Sequence, residues 1–329
     1  MSFNAILLEK DTTTGFSLRN INKEQLLAQE GDTLIEVLYS SINYKDALAL
    51  TNKSPIVRQW PMVPGIDGVG KVVECNSGRY QQNDMVILNG WGCGETHWGC
   101  LAQYAYLKSD WLIPLPNNLT PYQAMVIGTA GYTAALCVKR IVDFGVRPEQ
   151  GNILVTGASG GVGSIAVALL AKLGYQVTAS TSKMNDNNYL NRLGAVNIID
   201  SQTLKVAAKP LQKEQWSAVV DVVGSHTLAN VCAQTQYGGI VACCGLAQGM
   251  DFPATVAPFI LRGITLAGID SVMASYDKRI AAWDLLAQHL DEEILVHIGN
   301  TITLAECVDT ADKMIAGQIK GRFVVDVNQ

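Results

Sequence analysis

Ile153-Leu154-Val155-Thr156-Gly157-Ala158-Ser159-Gly160-Gly161-Val162-Gly163 runs from an apolar, strand-like triplet through a glycine-rich turn into the alanine-rich helical segment Val162 to Leu173. Glycines at Gly160 and Gly163 allow a tight turn and a close approach of helix to strand, while the amides and dipole of the helix N-terminus favour a pyrophosphate. Ala158 replaces the first glycine of the GxGxxG pattern, but a second strand, Tyr175 to Ser180, follows the helix and completes a βαβ unit. The expected ligand is a dinucleotide.

An NAD-binding fold places an acid at the end of that second strand to hold the ribose 2′-hydroxyl. This chain has Ser180-Thr181-Ser182-Lys183 there, hydroxyls and a cation that suit a 2′-phosphate. NADPH is therefore the expected cofactor. Asp186, six residues beyond Ser180, comes too late to serve NAD, and Arg192 and Asn197 are further candidates for the adenosine end.

The chain has 329 residues, enough for two domains, and is 48% hydrophobic and 16% charged, as a compact enzyme is. Its net charge of -5 supplies no cationic surplus for binding nucleic acid. Met1 to Leu8 carries no basic leader, and no uninterrupted apolar stretch approaches membrane-spanning length, so the expected location is cytoplasmic. Eight cysteines show no disulfide framework, and Cys243 and Cys244 read as core packing.

Residues 1 to about 120 hold short strand-like segments separated by turns, including Leu34 to Ile42, Gly70 to Cys75, Met85 to Leu88 and Ala102 to Leu107. They suggest a small irregular β-barrel. From Pro121 helices alternate with strands: Pro121 to Val126 and Ala130 to Val142 are helical, and Ala195 to Ile199, Ala218 to Val223, Gly239 to Cys244 and Ile264 to Ile269 extend the βαβ unit. The expected fold class is α/β, a Rossmann doubly wound parallel sheet of six strands beside the barrel. A helix over Thr303 to Ala316 and a strand over Phe323 to Val327 end the chain, giving a catalytic domain of residues 1–122 and 273–329 and a nucleotide domain of 123–272. Ile264 to Ile269 carries no charge, unlike a protected edge strand, which points to pairing in a homodimer.

The chain resembles the medium-chain dehydrogenase/reductase family over nearly its whole length. The likeness is carried by Asn43-Tyr44-Lys45-Asp46-Ala47-Leu48, Pro61 to Asp67, Gly90 to Gly99, Gly128-Thr129-Ala130-Gly131, the Gly157 to Gly163 loop and Pro258 to Arg262. Within the family it is similar to the YhdH/YhfP quinone oxidoreductases, whose better-defined members are NADPH-dependent acrylyl-CoA reductases. The resemblance implies a GroES-like catalytic domain and reduction of a carbon-carbon double bond conjugated to a carbonyl. Zinc members carry a cysteine near Asn43 and a Gly-His-Glu block where this chain has Gly65-Ile66-Asp67, and their lobe of four close cysteines is reduced here to Cys93 and Cys100 with His97 between them. A metal-free site is expected.

The resemblance places the diphosphate at Ser159, Gly160, Gly161 and Val162, the adenosine phosphate at Thr181, Ser182 and Lys183 with Asn197 nearby, and the nicotinamide end at Leu246, Ile260 and Ser271. Related sequences suggest an arginine at the position of Asn197 and an asparagine at that of Gly317. Tyr44, Asn43 and Asp46 are the polar groups expected nearest the chemistry, with Tyr44 packing by the nicotinamide and donating a hydrogen bond or relaying a proton, or else lining an interface. Asn43 is a further donor, Asp67 reads as a structural acceptor, and His226 as a solvated or capping residue. Arg58, Lys108 and Arg262 are candidate partners for an acyl-CoA phosphate. The activities left open are reduction of an enoyl thioester such as acrylyl-CoA, reduction of a quinone or enone, and a non-catalytic NADPH-binding role.

Overall fold

The structure, a computed structural model, describes residues 2–10, 16–184 and 187–329, so Asp186 lies outside the described residues. The chain divides into two compact units, one of Met1–Thr129, Val272–Ala281 and Leu295–Gln329, the other of Ala130–Ser271 and Ala282–Ile294.

In the first unit the strands are β1 (Ser2–Leu8), β2 (Phe16–Asn22), β3 (Thr33–Ile42), β4 (Asp67–Cys75), β5 (Met85–Asn89), β6 (Tyr104–Leu107) and β7 (Leu112–Pro114). In the second they are β8 (Ile153–Val155), β9 (Val177–Thr181), β10 (Ala195–Asp200), β11 (Trp216–Asp221), β12 (Thr235–Cys243) and β13 (Thr265–Gly268), and the chain ends in the first unit with β14 (Gly299–Thr303) and β15 (Arg322–Asp326).

The second unit is a parallel sheet in the order β10-β9-β8-β11-β12-β13, so the strand order reverses beside β8. That is the doubly wound order, in which the crevice at the carboxyl ends next to the reversal takes the ligand. Ile153, Leu154 and Val155 are fully buried, as a central parallel strand covered on both faces must be. Helix Gly161–Lys172 follows the turn and buries its Ile165-to-Leu170 run. At the far edge β13 pairs with β12 alone among the described strands, and its Thr-Leu-Ala-Gly sequence has no charge.

In the first unit the sheet runs β14-β15-β3-β4-β5-β7, with β6 also on β3. Thr33 to Glu36 pair with β6, whereas Tyr39 to Ile42 pair with β15. By changing partner half-way, β3 turns the sheet round its core and brings the C-terminal strand beside the segment that leads to Tyr44. Two strands were not read from the sequence: β2, and β14, whose Thr303 end was expected to begin a helix that instead starts at Cys307. β14 is half exposed and polar, so it lacks the alternation that marks a strand.

Pro121–Asp143 is 23 residues long and apolar, with mean hydropathy 1.3 over its most apolar stretch, 72% of which is buried. Its backbone breaks at Gly128, between the two helical segments read from the sequence. Length and composition alone would suit a membrane; the burial and the break are those of a core helix.

Candidate active site

Asp67, at the start of β4, is wholly buried, and its carboxylate accepts six hydrogen bonds beside one guanidinium. Its Oδ2 accepts from Ser41 Oγ at 2.6 Å and Asn43 Nδ2 at 2.7 Å; its Oδ1 accepts from Asn89 Nδ2 at 2.7 Å and Thr129 Oγ1 at 2.6 Å. The Thr129 amide donates to both oxygens at 2.9 Å, and the Arg322 guanidinium stands 3.5 Å from Oδ2. Arg322 is itself buried, and desolvation holds its pKa below the ordinary value despite the pull of Asp67 and Asp46. It donates to the carbonyls of Val126 and Ile42, to Asn43 Oδ1 and to Ser41 Oγ. Gly128 makes this packing possible: with φ +50, a Cβ there would lie 2.4 Å from Arg322 Nη2 and 2.5 Å from Asp67 Oδ2. The expectation of a structural acceptor at Asp67 agrees with this geometry. Arg322, a lone cation opening an apolar strand, was missed.

The same network fixes the helix Tyr44–Leu50. Asn43 precedes it with both side-chain polar atoms engaged, and its amide donates to Asp46 Oδ2 at 2.9 Å, half of a capping box. Asp46 Oδ1 accepts from the amides of Gly65 and Ile66, each at 3.1 Å. Burial raises the Asp46 carboxyl to about 6, against the opposing effect of the amides. Asn43 and Asp46, expected nearest the chemistry, are therefore brought into the scaffold, because every polar atom they offer already has a partner inside the unit. Tyr44, between them, is 43% exposed.

In the second unit, Gly157 rather than Gly160 takes the left-handed conformation of the turn, with φ +58 against -83. Gly163 brings the helix down on the strand, since a Cβ there would stand 2.3 Å from the Gly157 carbonyl. The first-turn amides of Gly161, Val162 and Gly163 have no acceptor within the helix, an arrangement that suits an anion. Ser159 Oγ meets Thr181 Oγ1 at 3.0 Å, and Thr181 Oγ1 also accepts the Lys183 amide at 3.0 Å. The Gly157-to-Gly163 turn and the Ser180-to-Lys183 segment thus share one carboxyl edge. Thr181 is buried and shapes the turn, while Ser182 is exposed.

The other expected contacts divide. Leu246 follows β12 and Ser271 follows β13, both beyond carboxyl ends, with Ser271 Oγ accepting from Thr133 Oγ1 at 2.7 Å. Ile260 lies in the crossover helix Ala257–Arg262 rather than beyond a strand end. Asn197 pairs with Thr178, three residues before the level where Asp200 meets Thr181, about 10 Å short at the usual strand rise. Its exposed amide is too short to reach the Thr181 turn. Helix Ser225–Gln234 is capped by Gly224, not His226. Sequence reading missed Asp221 at the end of β11, which accepts from Thr156 Oγ1 at 2.7 Å and from the Gly224 amide at 2.8 Å and ties the two central strand ends together. An acid three residues before a glycine at a strand end was the available signal.

The geometry has counterparts of known sequence. Residues 29–117 match the alcohol dehydrogenase GroES-like domain and residues 161–288 the zinc-binding dehydrogenase domain. "Probable acrylyl-CoA reductase AcuI" of Escherichia coli is 47% identical over 98% of this chain and 99% of its own length. "Acrylyl-CoA reductase AcuI" of Ruegeria pomeroyi is 44% identical over 99% of both. The chain belongs to the medium-chain dehydrogenase/reductase family. Among solved structures, the yhdH oxidoreductase of Salmonella enterica in complex with NADP superposes with a TM-score of 0.96 at 46% identity, covering 98% of this chain and 99% of that one. Bacillus subtilis yhfP with NAD bound gives 0.94 at 42% identity, covering 99% and 100%.

One matched family domain is described as zinc-binding, so the donor set must be judged. Asn43 and Asp67, at the positions compared above with zinc ligands, hydrogen-bond to each other. Burial pushes the thiols of Cys93 and Cys100 far above their ordinary range. Both ring nitrogens of His97 face carbonyls, those of Trp98 and Glu30. Among the described residues no group of three or more potential ligands is placed to hold a metal.

Asp67→Ala leaves the Arg322 guanidinium buried without its anion, so equilibrium urea unfolding should show a loss of about 3–5 kcal/mol. A loss below about 1 kcal/mol would show that the carboxylate does not hold the unit together.

Proposed function

We propose that this protein is an NADPH-dependent reductase of α,β-unsaturated thioesters acting on acrylyl-CoA. The observation that carries the reading is Tyr44: the nearby Asn43 and Asp46 are consumed by the scaffold, while Tyr44 itself stays 43% exposed at the head of a clamped helix. The near-full-length relatives named as acrylyl-CoA reductases supply the substrate. Ser159, Gly160, Gly161 and Val162 hold the diphosphate, Ser182 and Lys183 the adenosine phosphate with Thr181 shaping their turn, and Leu246 and Ser271 the nicotinamide end. When bound, NADPH supplies a hydride for the β-carbon of the conjugated thioester. Tyr44 donates a hydrogen bond to the thioester oxygen, where negative charge develops, or relays a proton to the α-carbon and regains it from solvent. Asn43 and Asp46 are positioning residues. No metal is assigned a part.

NADPH should bind more tightly than NADH by about 1–3 kcal/mol through charge-assisted bonds to the 2′-phosphate, and Lys183→Ala should narrow the gap. Equal affinities in a low-salt titration would remove the preference, an outcome the NAD-bound relative makes worth testing.

Tyr44→Phe keeps the ring, so NADPH affinity should hold while kcat for acrylyl-CoA falls about 10- to 1,000-fold, the scale of one lost acid-base or oxyanion group. The wild-type rate should persist in chelator. An unchanged kcat, with chemistry limiting, would reduce Tyr44 to packing, and a higher kcat/KM for a soluble quinone than for acrylyl-CoA would favour the quinone reading.

The eight cysteines are free thiols, as a cytoplasmic enzyme requires, and the uncharged β13 edge supports a homodimer with the sheet continued across a two-fold axis. Light scattering at micromolar concentration should give twice the 35.4 kDa chain mass. A monomer mass would refute the edge pairing.

A further inference from the structure

The three cations that the sequence offered to an acyl-CoA phosphate have different fates. Lys108 is paired with Glu30 at 2.6 Å and lies over the Trp111 ring. Arg262 donates to the carbonyls of Ala233, Thr235 and Gln212 and pairs with Glu214, which makes it a clasp within the nucleotide unit. Arg58 is exposed and forms no ion pair among the described residues.

Arg58 begins four consecutive exposed residues, Arg58-Gln59-Trp60-Pro61, in an otherwise anchored loop. Glu95 holds one end: its carbonyl accepts the amides of Arg58 at 2.8 Å and Gln59 at 3.3 Å. The Pro61 carbonyl accepts from the buried Trp98 indole at 2.8 Å, and Met62 exchanges backbone bonds with Leu8. The carboxylate of Glu95 pairs with Lys45, beside Tyr44. A single residue therefore ties the Arg58 loop to the helix that presents Tyr44, and its own charge is neutralised on Lys45 rather than on Arg58.

We propose that Arg58 and Trp60 recognise the phosphorylated adenosine end of the coenzyme A thioester, an inference that rests on the acyl-CoA reading above. An unpaired guanidinium binds phosphate in bidentate fashion, and an indole that remains 38% exposed offers a stacking face to a purine. Because the loop is held at both ends, little ordering is left to oppose binding. Simple enones and quinones carry neither phosphate nor purine, so this pair sets the preference for CoA esters without touching the reacting carbons.

The test is titration calorimetry with CoA itself, alongside kinetics with acrylyl-CoA and with S-acryloyl-N-acetylcysteamine, which keeps the thioester and lacks the nucleotide. Arg58→Ala and Trp60→Ala should each weaken CoA binding at least tenfold and raise KM for acrylyl-CoA correspondingly, with kcat held within about twofold. The rise should be at least tenfold smaller for the truncated thioester, and Arg58→Lys should recover part of the loss. Acrylyl-3′-dephospho-CoA assigns the phosphate: a reduced variant effect points to the 3′-phosphate, an undiminished one to the diphosphate. Equal CoA affinity in wild type and both variants overturns the inference whatever the turnover. Arg58-dependent CoA binding without acrylyl-CoA reduction would instead overturn the reading of the reaction and leave this site standing.

Discussion

The buried pairing of Asp67 with Arg322 is the constraint on which the first unit depends. An unpaired charge inside a protein costs several kcal/mol, so the carboxylate and the guanidinium must each be surrounded by partners. Those partners come from β3 through Ser41, from the start of the Tyr44 helix through Asn43, from β5 through Asn89, from the Gly128 break through Thr129, and from the last strand through Arg322 itself. Four separate stretches of chain are held to Asp67. The position of Tyr44 follows, since the residue before it is fastened to both charges and the residue two places after it is fastened to the Gly65-Ile66 backbone.

The second unit uses a related device at smaller scale. Asp221 is buried at the end of β11, where desolvation raises its pKa and the Thr156 hydroxyl and the Gly224 amide oppose the rise. It joins the end of β8 to that of β11, across the point where strand order reverses. The Gly157-to-Gly163 turn is thereby held at its root, while the Ser159 and Thr181 hydroxyls meet above it. In both units a buried acid fixes backbone geometry.

The glycine-rich run, the six parallel strands and the missing acid after β9 were all legible because each is a local pattern: a period, a turn residue or a residue type at a strand end. β14 was not legible, because a short polar strand at the rim of a sheet has no alternation to betray it. Arg322 and Asp221 were visible as single letters, but a charge does not announce a burial that long-range packing imposes. Gly160 and Gly157 are equally permissive residues, and only the backbone path shows which of them turns left-handed.

For Asn43, Tyr44 and Asp46 the division between sequence and structure is sharpest. Their order in the chain determined that an amide, a phenol and a carboxyl would stand together at the head of a helix. Which of them faces outward was decided by partners 24 and 279 residues away, Asp67 and Arg322, which occupy the Asn43 side chain, and by the Gly65 and Ile66 amides that occupy Asp46. Local sequence specifies what a segment carries. Whether a polar atom is free to meet a ligand depends on how many donors and acceptors the folded chain has already brought to it, and that sum exists only in the tertiary structure.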